Sequence, residues 1–307
     1  MSYEVYYPGY TRRAISFTMD DGRIDSDGQL ISVLRPYGII GTFNISHVDT
    51  LSPEDYRALY RGHEINNHVK YHPYVFSDGV KYDIVDEVLD PDVSDEAKVY
   101  RHPKYEGLYC IHRPAGWRNI TTPERYIELT ETAKREIEAV FGEGSVKGFA
   151  WPFGEQDSKA VKKHLVEAGY YGARRSSCIG DTTGFAVPED RMSWSHNANH
   201  RNLIEMAEKF AAYPDDGELK CFIFGVHSID YARYDEFKTL REFAERYGSR
   251  HGEFWYATVG EIFAYKDAVD ALTERGGKIY NPSDIPVYIT AYGKKYTVAP
   301  GDGVSLT

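Results

Sequence analysis

Short apolar runs that alternate with amphipathic stretches restrict the fold of this chain more than any other feature of its sequence. The segments predicted to form strands are Ala14–Met19, Ile39–Ile45, His63–Asn66, Lys147–Trp151, Tyr171–Arg174, Cys221–Val226 and Phe254–Thr258. Helical segments lie between these strands, and this order is typical of a parallel sheet whose connections cross as helices. The sequence therefore predicts an α/β fold, and the alternations are numerous enough to close a (β/α) barrel.

Capping residues support the predicted helices. Ser52 and Thr122 are each followed by a proline, which is favoured at the first helical position. Gly142 is expected to end the second of these helices. The other helices are predicted at Asp157–Ala168, Arg201–Ala212, Asp235–Tyr247 and Gly260–Thr273. The loop expected before the helix at Arg201–Ala212 contains Trp194, His196 and His200.

Two regions interrupt the alternation. The segment between His72 and Asn119 is rich in Tyr, Asp, His and Pro and has no sustained periodicity. A loop of this length inside a compact domain is usually functional or disordered, and we interpret it as an insertion at about residues 73–118. After Gly277 the composition changes again, and "IPVYITAYGKKYTVAPGDGVSL" predicts short strands around a turn. We therefore expect a main domain over residues 1–277 and a small β appendage over residues 278–307.

The charge of the chain excludes several classes of partner. Its 307 residues carry a formal net charge of -11, and the pI is about 5.5. Nucleic acids and anionic membrane surfaces are therefore unsuitable partners, because phosphate binding needs a basic surface. No apolar run approaches the roughly 18 residues of a membrane-spanning helix. The first residues, "MSYEVYYPGYTRR", lack the apolar region of a secretion signal. A cytoplasmic location is expected, unless a leader has been trimmed from the chain.

Tyrosine and cysteine content narrows the chemistry further. The 26 tyrosines offer flat apolar rings with hydroxyls, which suit sugar ligands, although most are expected to fill strands and helix interfaces. The three cysteines are scattered and show no C-x-x-C spacing. This pattern argues against both a disulfide framework and a thiolate zinc site.

Two neighbouring aspartates, Asp20 and Asp21, follow the first apolar run in "SFTMDDGRIDSDG". Paired acids in a surface turn often have no role beyond solvation, but they also suit a site that holds a cation or shares a proton. Successive side chains of a strand point to opposite faces, so both acids can line one site only if the strand ends there. Gly22 supplies a residue that turns the chain easily.

A second candidate is the His68–His72 pair in "GHEINNHVKYHP". On a helix or a helical turn, residues four apart share one face, so that both imidazoles can reach one metal ion. The spacing alone is weak evidence, but the pair follows a predicted strand, as the two aspartates do. One aspartate and two histidines form a triad that suits zinc or another divalent ion. The other aspartate is then available as a base.

Two further stretches follow predicted strands. In "GFAWPFGEQD", the turn around Phe153 is either an ordinary Pro-Gly turn or one whose backbone N–H groups face an oxyanion. In "CFIFGVHSIDY", His227 lies just past a fully apolar run. A lone histidine there is more often structural, but beside a metal triad a general acid is favoured.

The order of "FTMDDG", "NNHVKYHP", "AWPFG" and "FGVHS" resembles the polysaccharide deacetylase family, the NodB-homology domains of carbohydrate esterase family 4. The resemblance covers roughly residues 14–273. It implies a distorted, incomplete (β/α) barrel that binds a divalent metal, usually zinc, and hydrolyses an acetamido group. Carried over by position, the general base is Asp20, the general acid is His227, the metal ligands are Asp21, His68 and His72, and the substrate or oxyanion contacts are Trp151 and Phe153.

The chain departs from the family at the arginine that orients the base, because Ala150 opens the motif "AWPFG". Arg174 or Arg175, in "YYGARRSS", is a candidate replacement, and we favour Arg174 because it resembles an atypical branch of the family. Both arginines are alternatively explained by surface salt bridges. The inserted segment is the second departure, and it is expected either to wall the cleft or to form a packing or oligomer contact.

These features predict a metal-dependent hydrolase that removes an N-acetyl or O-acetyl group from a carbohydrate and does not act on peptide bonds. Zinc is the expected cofactor, with cobalt, nickel, manganese and iron as alternatives. One alternative function is hydrolysis of a small amide that is not a sugar. Another is a catalytically impaired relative that binds carbohydrate. The sequence leaves the oligomeric state open.

Overall fold

A computed structural model describes residues 3–154, 158–233 and 236–306. The strands in these ranges, numbered in chain order, are β1 (Glu4–Tyr6), β2 (Arg13–Asp20), β3 (Thr42–Ile45), β4 (Glu64–Asn67), β5 (Tyr74–Val75), β6 (Ile84–Val88), β7 (Val99–Arg101), β8 (Tyr109–Arg113), β9 (Gly116–Thr121), β10 (Phe149–Ala150), β11 (Ala173–Cys178), β12 (Trp194–His196), β13 (Lys220–Phe224), β14 (Trp255–Tyr256), β15 (Thr273–Arg275), β16 (Lys278–Tyr280), β17 (Val287–Ala291), β18 (Lys294–Val298) and β19 (Gly303–Ser305).

The helices are α1 (Ile24–Leu34), α2 (Pro53–Leu59), α3 (Pro123–Phe141), α4 (Lys159–Glu167), α5 (Leu203–Ala212), α6 (Ser228–Arg233), α7 (Phe237–Tyr247) and α8 (Val259–Asp270). Ser52 and Thr122 cap α2 and α3, since each side chain accepts a hydrogen bond from the backbone N–H three residues on. The predicted starts of two helices, Asp157 and Asp235, lie outside the described residues. No helix in the described ranges is both long and apolar enough to cross a membrane.

The central sheet is parallel and confirms the predicted α/β fold. Its strand order is β12-β11-β10-β4-β3-β2-β13, and β14 also pairs with β2. The two end strands of this path, β12 and β13, lie close together. Just after β12, the Asn197 N–H donates a hydrogen bond to the Ile223 carbonyl of β13 at 2.7 Å. Helices cover the sheet through apolar faces. For example, α3 buries Tyr126, Leu129, Ala133 and Ile137 at helical spacing.

All seven predicted strands are present, although their ends differ by a few residues. The prediction was wrong at residues 194–196, which form strand β12 rather than part of a loop. Trp194 and His196 are buried there, and β12 pairs in parallel with β11. The strand was missed because its sequence, Trp-Ser-His, is only three residues long and contains no β-branched side chain. Helix α1 lies between the first two predicted strands, where a helical segment was expected, but its bounds were not predicted.

The inserted segment corrects the expectation of a long loop. Its residues form a five-stranded sheet in the order β5-β9-β8-β7-β6, separate from the central sheet. Strands β7, β8 and β9 are antiparallel neighbours, and Val99, Ile111 and Ile120 form a small buried cluster on this sheet. We refer to these five strands as the inserted sheet.

Short strands follow α8. In one sheet, β17 lies between β1 and β18, and in the other, β16 lies between β15 and β19. Val287 and Ile289 of β17 are buried in a cluster that also contains Ile262 and Phe263 of α8. The division into a main domain over residues 1–277 and an appendage over residues 278–307 stays a prediction.

The register of the central sheet brings the polar ends of neighbouring strands together. Asp20, at the end of β2, lies opposite Asn44 of β3. Ala150 of β10 lies opposite Arg174 of β11. Because all of these strands are parallel, their carboxyl ends meet at one edge, which is where α/β folds usually place their chemistry.

Candidate active site

The two adjacent aspartates reach one site because strand β2 ends at Asp20. Asp21 has a φ of 75° and Gly22 a φ of 64°, so the chain turns sharply at these residues. A Cβ atom at Gly22 would lie 2.9 Å from the Ile45 side chain, so that the close approach also requires glycine. Asp20 is buried in the sheet edge, whereas the Asp21 side chain is 19% exposed.

The two histidines meet, but they do not lie on a helix, which corrects the geometry considered from their spacing. Val69, Tyr71 and His72 all have a positive φ, and they form an irregular segment after β4. The Nε2 atoms of His68 and His72 lie 3.0 Å apart. The spacing of four residues therefore brings the two rings together through a tight loop and not through a helical face.

Asp21 completes a three-residue cluster with these histidines. Its Oδ1 lies 3.5 Å from His68 Nε2 and 3.4 Å from His72 Nε2. Metal–ligand bonds of 2.0–2.1 Å place the ligand atoms of a tetrahedral zinc site about 3.3 Å from one another. The three separations in the cluster, 3.0, 3.4 and 3.5 Å, therefore fit three corners of such a site. The candidate ligands are Asp21, His68 and His72.

The protonation of these side chains also fits a cation. His68 Nδ1 lies 2.9 Å from the Ala150 carbonyl, to which it can only donate, so that Nε2 of a neutral ring carries a lone pair. Burial, and then the nearby His68, lower the pKa of His72 to about 4. Although burial raises the pKa of Asp21, the imidazoles of His68, His227 and His72 beside it lower the pKa well below its usual range. Three electron-rich atoms at this distance repel one another unless a proton or a cation lies among them.

Asp20 faces a different partner. Its carboxylate forms a buried ion pair with Arg174 through Oδ2, and Oδ1 accepts a hydrogen bond from Asn44 Nδ2 at 2.9 Å. Burial raises the pKa of Asp20, but the charge and hydrogen bond of Arg174, together with the charges of His68 and His227, outweigh burial, and the pKa is lowered. Asp20 is therefore held ionised and fixed in orientation beside the cluster.

Arg174 lies opposite Ala150 in the register of the sheet. These two residues are neighbours in adjacent parallel strands, so an arginine on β11 reaches the same carboxylate from one strand away. Arg174 is completely buried, and its Nη1 donates to the Arg175 carbonyl at 2.6 Å. Arg175 points outwards and is exposed.

His227 lies after β13, at the same edge of the sheet. Its Nδ1 is 2.9 Å from Asp230 Oδ2, and its side chain is 35% exposed. Burial lowers the pKa of His227, but the hydrogen bond with Asp230 and the charges of Asp20 and Asp21 outweigh this effect and raise it. The raised pKa favours the protonated imidazole, the form that can donate a proton.

These side chains line one cleft of about 1310 Å³. The cleft is lined by Asp20, Asp21, His68, His72 and His227, among others. The sheet edge therefore provides three candidate metal ligands, an ionised carboxylate and an imidazole of raised pKa on one solvent-reachable surface, a combination that suits hydrolysis of an acyl group.

Comparison with known proteins decides the family. The family model described as "Polysaccharide deacetylase" matches residues 9–173, more than half of the chain. The chain belongs to the polysaccharide deacetylase family. None of the curated proteins matches this member of the family.

Solved structures that resemble this polysaccharide deacetylase family chain share little sequence with it. The Xyl-CE4 domain of a multidomain xylanase from the hindgut metagenome of Trinervitermes trinervoides is 15% identical, with 83% of this chain and 91% of that chain covered and a TM-score of 0.47. A chitin deacetylase from Colletotrichum lindemuthianum is 14% identical, with coverage of 84% and 88% and a TM-score of 0.43. A family 4 acetyl xylan esterase from Clostridium thermocellum, in complex with a cobalt ion, is 14% identical, with coverage of 83% and 92% and a TM-score of 0.44.

The two remaining predicted contacts of this polysaccharide deacetylase family member lie on the turn after β10. Phe153 has a φ of 61°, and its ring lies edge-on to His72 with 4.4 Å between ring centroids. Trp151 is fully buried and packs against Phe149, so its ring cannot stack on a substrate even though it borders the cleft. The cleft is therefore bordered at this turn by Phe153 and by the edge of a core tryptophan.

Sequence reasoning missed two residues that hold the candidate acid and base of this polysaccharide deacetylase family member. Asn44 bonds Asp20, and its signal was a polar residue within the apolar strand run "TFNI". Asp230 bonds His227, and its signal was an acid three residues after that histidine. Neither signal is strong in the sequence alone, because the role of Asn44 depends on where Asp20 lies and that of Asp230 on where His227 lies.

Proposed function

We propose that this chain is a metal-dependent hydrolase that removes an N-acetyl or O-acetyl group from a carbohydrate. The observation that carries the proposal is the convergence of Asp21, His68 and His72 beside the ionised Asp20, in a chain of the polysaccharide deacetylase family. Each of these residues lines the same cleft, so a substrate's acyl group can reach all of them together.

Asp21, His68 and His72 would hold one divalent ion, with zinc as the expected occupant. When bound, such an ion polarises a carbonyl and lowers the pKa of water. The carbonyl of Ala150 fixes the His68 ring so that Nε2 faces the cluster. This backbone contact orients the ligand without adding a charge.

Asp20 is proposed as the general base that takes the proton from the attacking water. Asn44 and Arg174 occupy its two oxygens from the side of the sheet, which limits rotation of the carboxylate. A base that is already ionised and oriented needs no rearrangement before it accepts the proton. Arg174 is proposed as the positioning residue that keeps it so.

His227 is proposed as the general acid that protonates the departing amine or alcohol. Its Nδ1 bonds Asp230, which leaves Nε2 to donate the proton. The backbone N–H of Phe153 is proposed to donate to the oxyanion that forms on the acyl carbon, since its turn lies against His72. Trp151 is proposed only as support for this turn.

Arg174 also argues against the alternative that this chain binds carbohydrate without hydrolysing it. The main reason to consider such a protein was the missing arginine at Ala150, and Arg174 supplies an equivalent charge to Asp20 from the paired position. Hydrolysis is therefore the function that the arrangement of the described residues supports best.

Acetate release tests the proposal. Zinc-loaded protein is incubated with chitin oligosaccharides, acetylated xylan and a small linear N-acetyl amide, and acetate is assayed. We expect release from at least one carbohydrate, its loss after chelation, and its return when zinc is added back. Acetate release from the small amide alone would show that the substrate is a small amide and not a carbohydrate. Binding of oligosaccharide without acetate release from any of the three substrates would contradict the proposal.

A further inference from the structure

The inserted sheet forms part of the wall of the cleft. Trp117, Arg118 and Asn119 of β9 line it, and so does Tyr105. Asn119 Nδ2 donates to the Tyr71 carbonyl at 2.8 Å, one residue before His72. This bond fixes β9 against the loop that carries the candidate metal ligands. A side chain on β9 can therefore contact the same substrate molecule whose acyl group reaches the cluster.

Arg118 differs from the other basic side chains that line the cleft. Lys70 forms an ion pair with Glu136, and Arg23 Nη2 lies 3.3 Å from Asp21 Oδ2. Arg118 forms no ion pair with any described carboxylate, and its Nη1 donates to the Trp117 carbonyl at 2.9 Å. The chain has 47 acidic and 36 basic residues, so a cleft guanidinium without a carboxylate partner is not explained by a shortage of acids.

We propose that Arg118 binds a carboxylate of the substrate, and that this chain therefore prefers acidic acetylated sugars to neutral ones. The inference rests on the proposed function for the identity of the acyl group. A guanidinium presents donors in a planar fork that matches the two oxygens of a carboxylate. Arg118 is half-buried, so the pairing takes place where solvent screens it less than on an open surface.

Neighbouring residues give this contact a direction. Tyr105 and Trp117 line the same cleft as Arg118, so the cleft offers aromatic surface to a sugar ring as well as a guanidinium to its carboxylate. Asp49, which comes from the loop after β3, also lines the cleft. An acidic substituent is repelled by this carboxylate and attracted by Arg118. The ring is therefore expected to bind in one orientation.

Binding of matched sugars tests the proposal without depending on turnover. The probes are N-acetylglucosamine, its uronic acid with a carboxylate at C6, and its 3-O-lactyl ether, N-acetylmuramic acid. Dissociation constants are measured by calorimetry on the zinc-loaded chain carrying Asp20→Asn, with and without Arg118→Gln. We expect at least one acidic sugar to bind about tenfold more tightly than the neutral sugar, because hydrogen bonds to charged groups are the stronger ones. Arg118→Gln is expected to remove this preference and to leave binding of the neutral sugar unchanged.

Arg101→Gln is the matched control, because Arg101 lies on the same inserted sheet, does not line the cleft and is paired with Asp86 at 3.2 Å. It is expected to retain the preference for the acidic sugar. Equal binding of acidic and neutral sugars by the parent chain, or an unchanged preference after Arg118→Gln, would overturn the proposal. A preference that disappears with Arg118→Gln, in a chain that releases no acetate from any substrate, would support the anion site and contradict only the proposed hydrolysis.

Discussion

Replacing Asp20 with asparagine is expected to lower kcat by about a hundredfold or more, while the chain still binds its divalent ion. A positioned general base contributes roughly 10²–10⁴ to rate, and asparagine cannot accept the proton. The metal is expected to stay because the candidate ligands are Asp21, His68 and His72. Acetate release under substrate saturation and metal analysis of the same sample measure the two outcomes.

Asp25→Asn is the matched control for this substitution, since Asp25 is an exposed carboxylate that lines the same cleft. It removes the same charge without touching the sheet edge, and we expect its kcat to stay close to that of the parent. An Asp20→Asn chain with parental turnover would refute the assignment of the base. Loss of the metal from that chain would show instead that Asp20 belongs to the ligand set.

Replacing Arg174 with methionine is expected to destabilise the fold and impair catalysis together. Arg174 and the Asp20 side chain are 0% and 3% exposed, and breaking a buried ion pair at one partner typically costs about 3–5 kcal/mol. The measurement is the free energy of unfolding in urea at several pH values. Arg174 lowers the pKa of Asp20, so its stabilisation is present above the pKa of an unfolded aspartate and is lost as the pH falls through the folded pKa. The deficit of the variant should therefore be largest near neutral pH and shrink in acid.

The same substitution should change the pH dependence of turnover. Without the guanidinium the pKa of Asp20 rises, and the acidic limb of the kcat/KM profile moves to higher pH. Adding Ala150→Arg to Arg174→Met restores an arginine at the paired position and should recover part of the loss. Arg175→Gln, at the exposed neighbour, should leave the pH profile unchanged, because Arg174 is the residue that contacts Asp20. An Arg174→Met chain as stable and active as the parent would show that the pair has no positioning role.

The sequence predicted seven of the eight strands of the central sheet, most clearly the compact apolar runs such as β13, which is completely buried over Lys220–Phe224. It predicted the inserted segment poorly. The strands there carry few β-branched residues in alternation, and β6 is almost entirely exposed. Such strands depend on pairing with neighbours that are distant in sequence, and local patterns do not contain that information.

The site was predictable as a list of residues but not as a geometry. Asp20 and Asp21 were singled out because two acids follow a strand, yet the positive φ of Asp21 and the bond from Asn44 need coordinates. The sequence alone also could not decide whether Arg174 or Arg175 contacts Asp20. Neighbouring residues of a strand point to opposite faces, and only the register of β11 against β10 determines which of the two arginines reaches Asp20.

Metal content tests the shared site of Asp21, His68 and His72 most directly. After incubation with excess zinc and dialysis, we expect about one zinc ion per parent chain and almost none in a His68→Ala/His72→Ala chain, because two of the three protein ligands of the site are then gone. Circular dichroism should show that the double variant remains folded. A parent chain that retains no zinc, cobalt, nickel, manganese or iron, or a folded double variant that retains as much as the parent, would contradict the account.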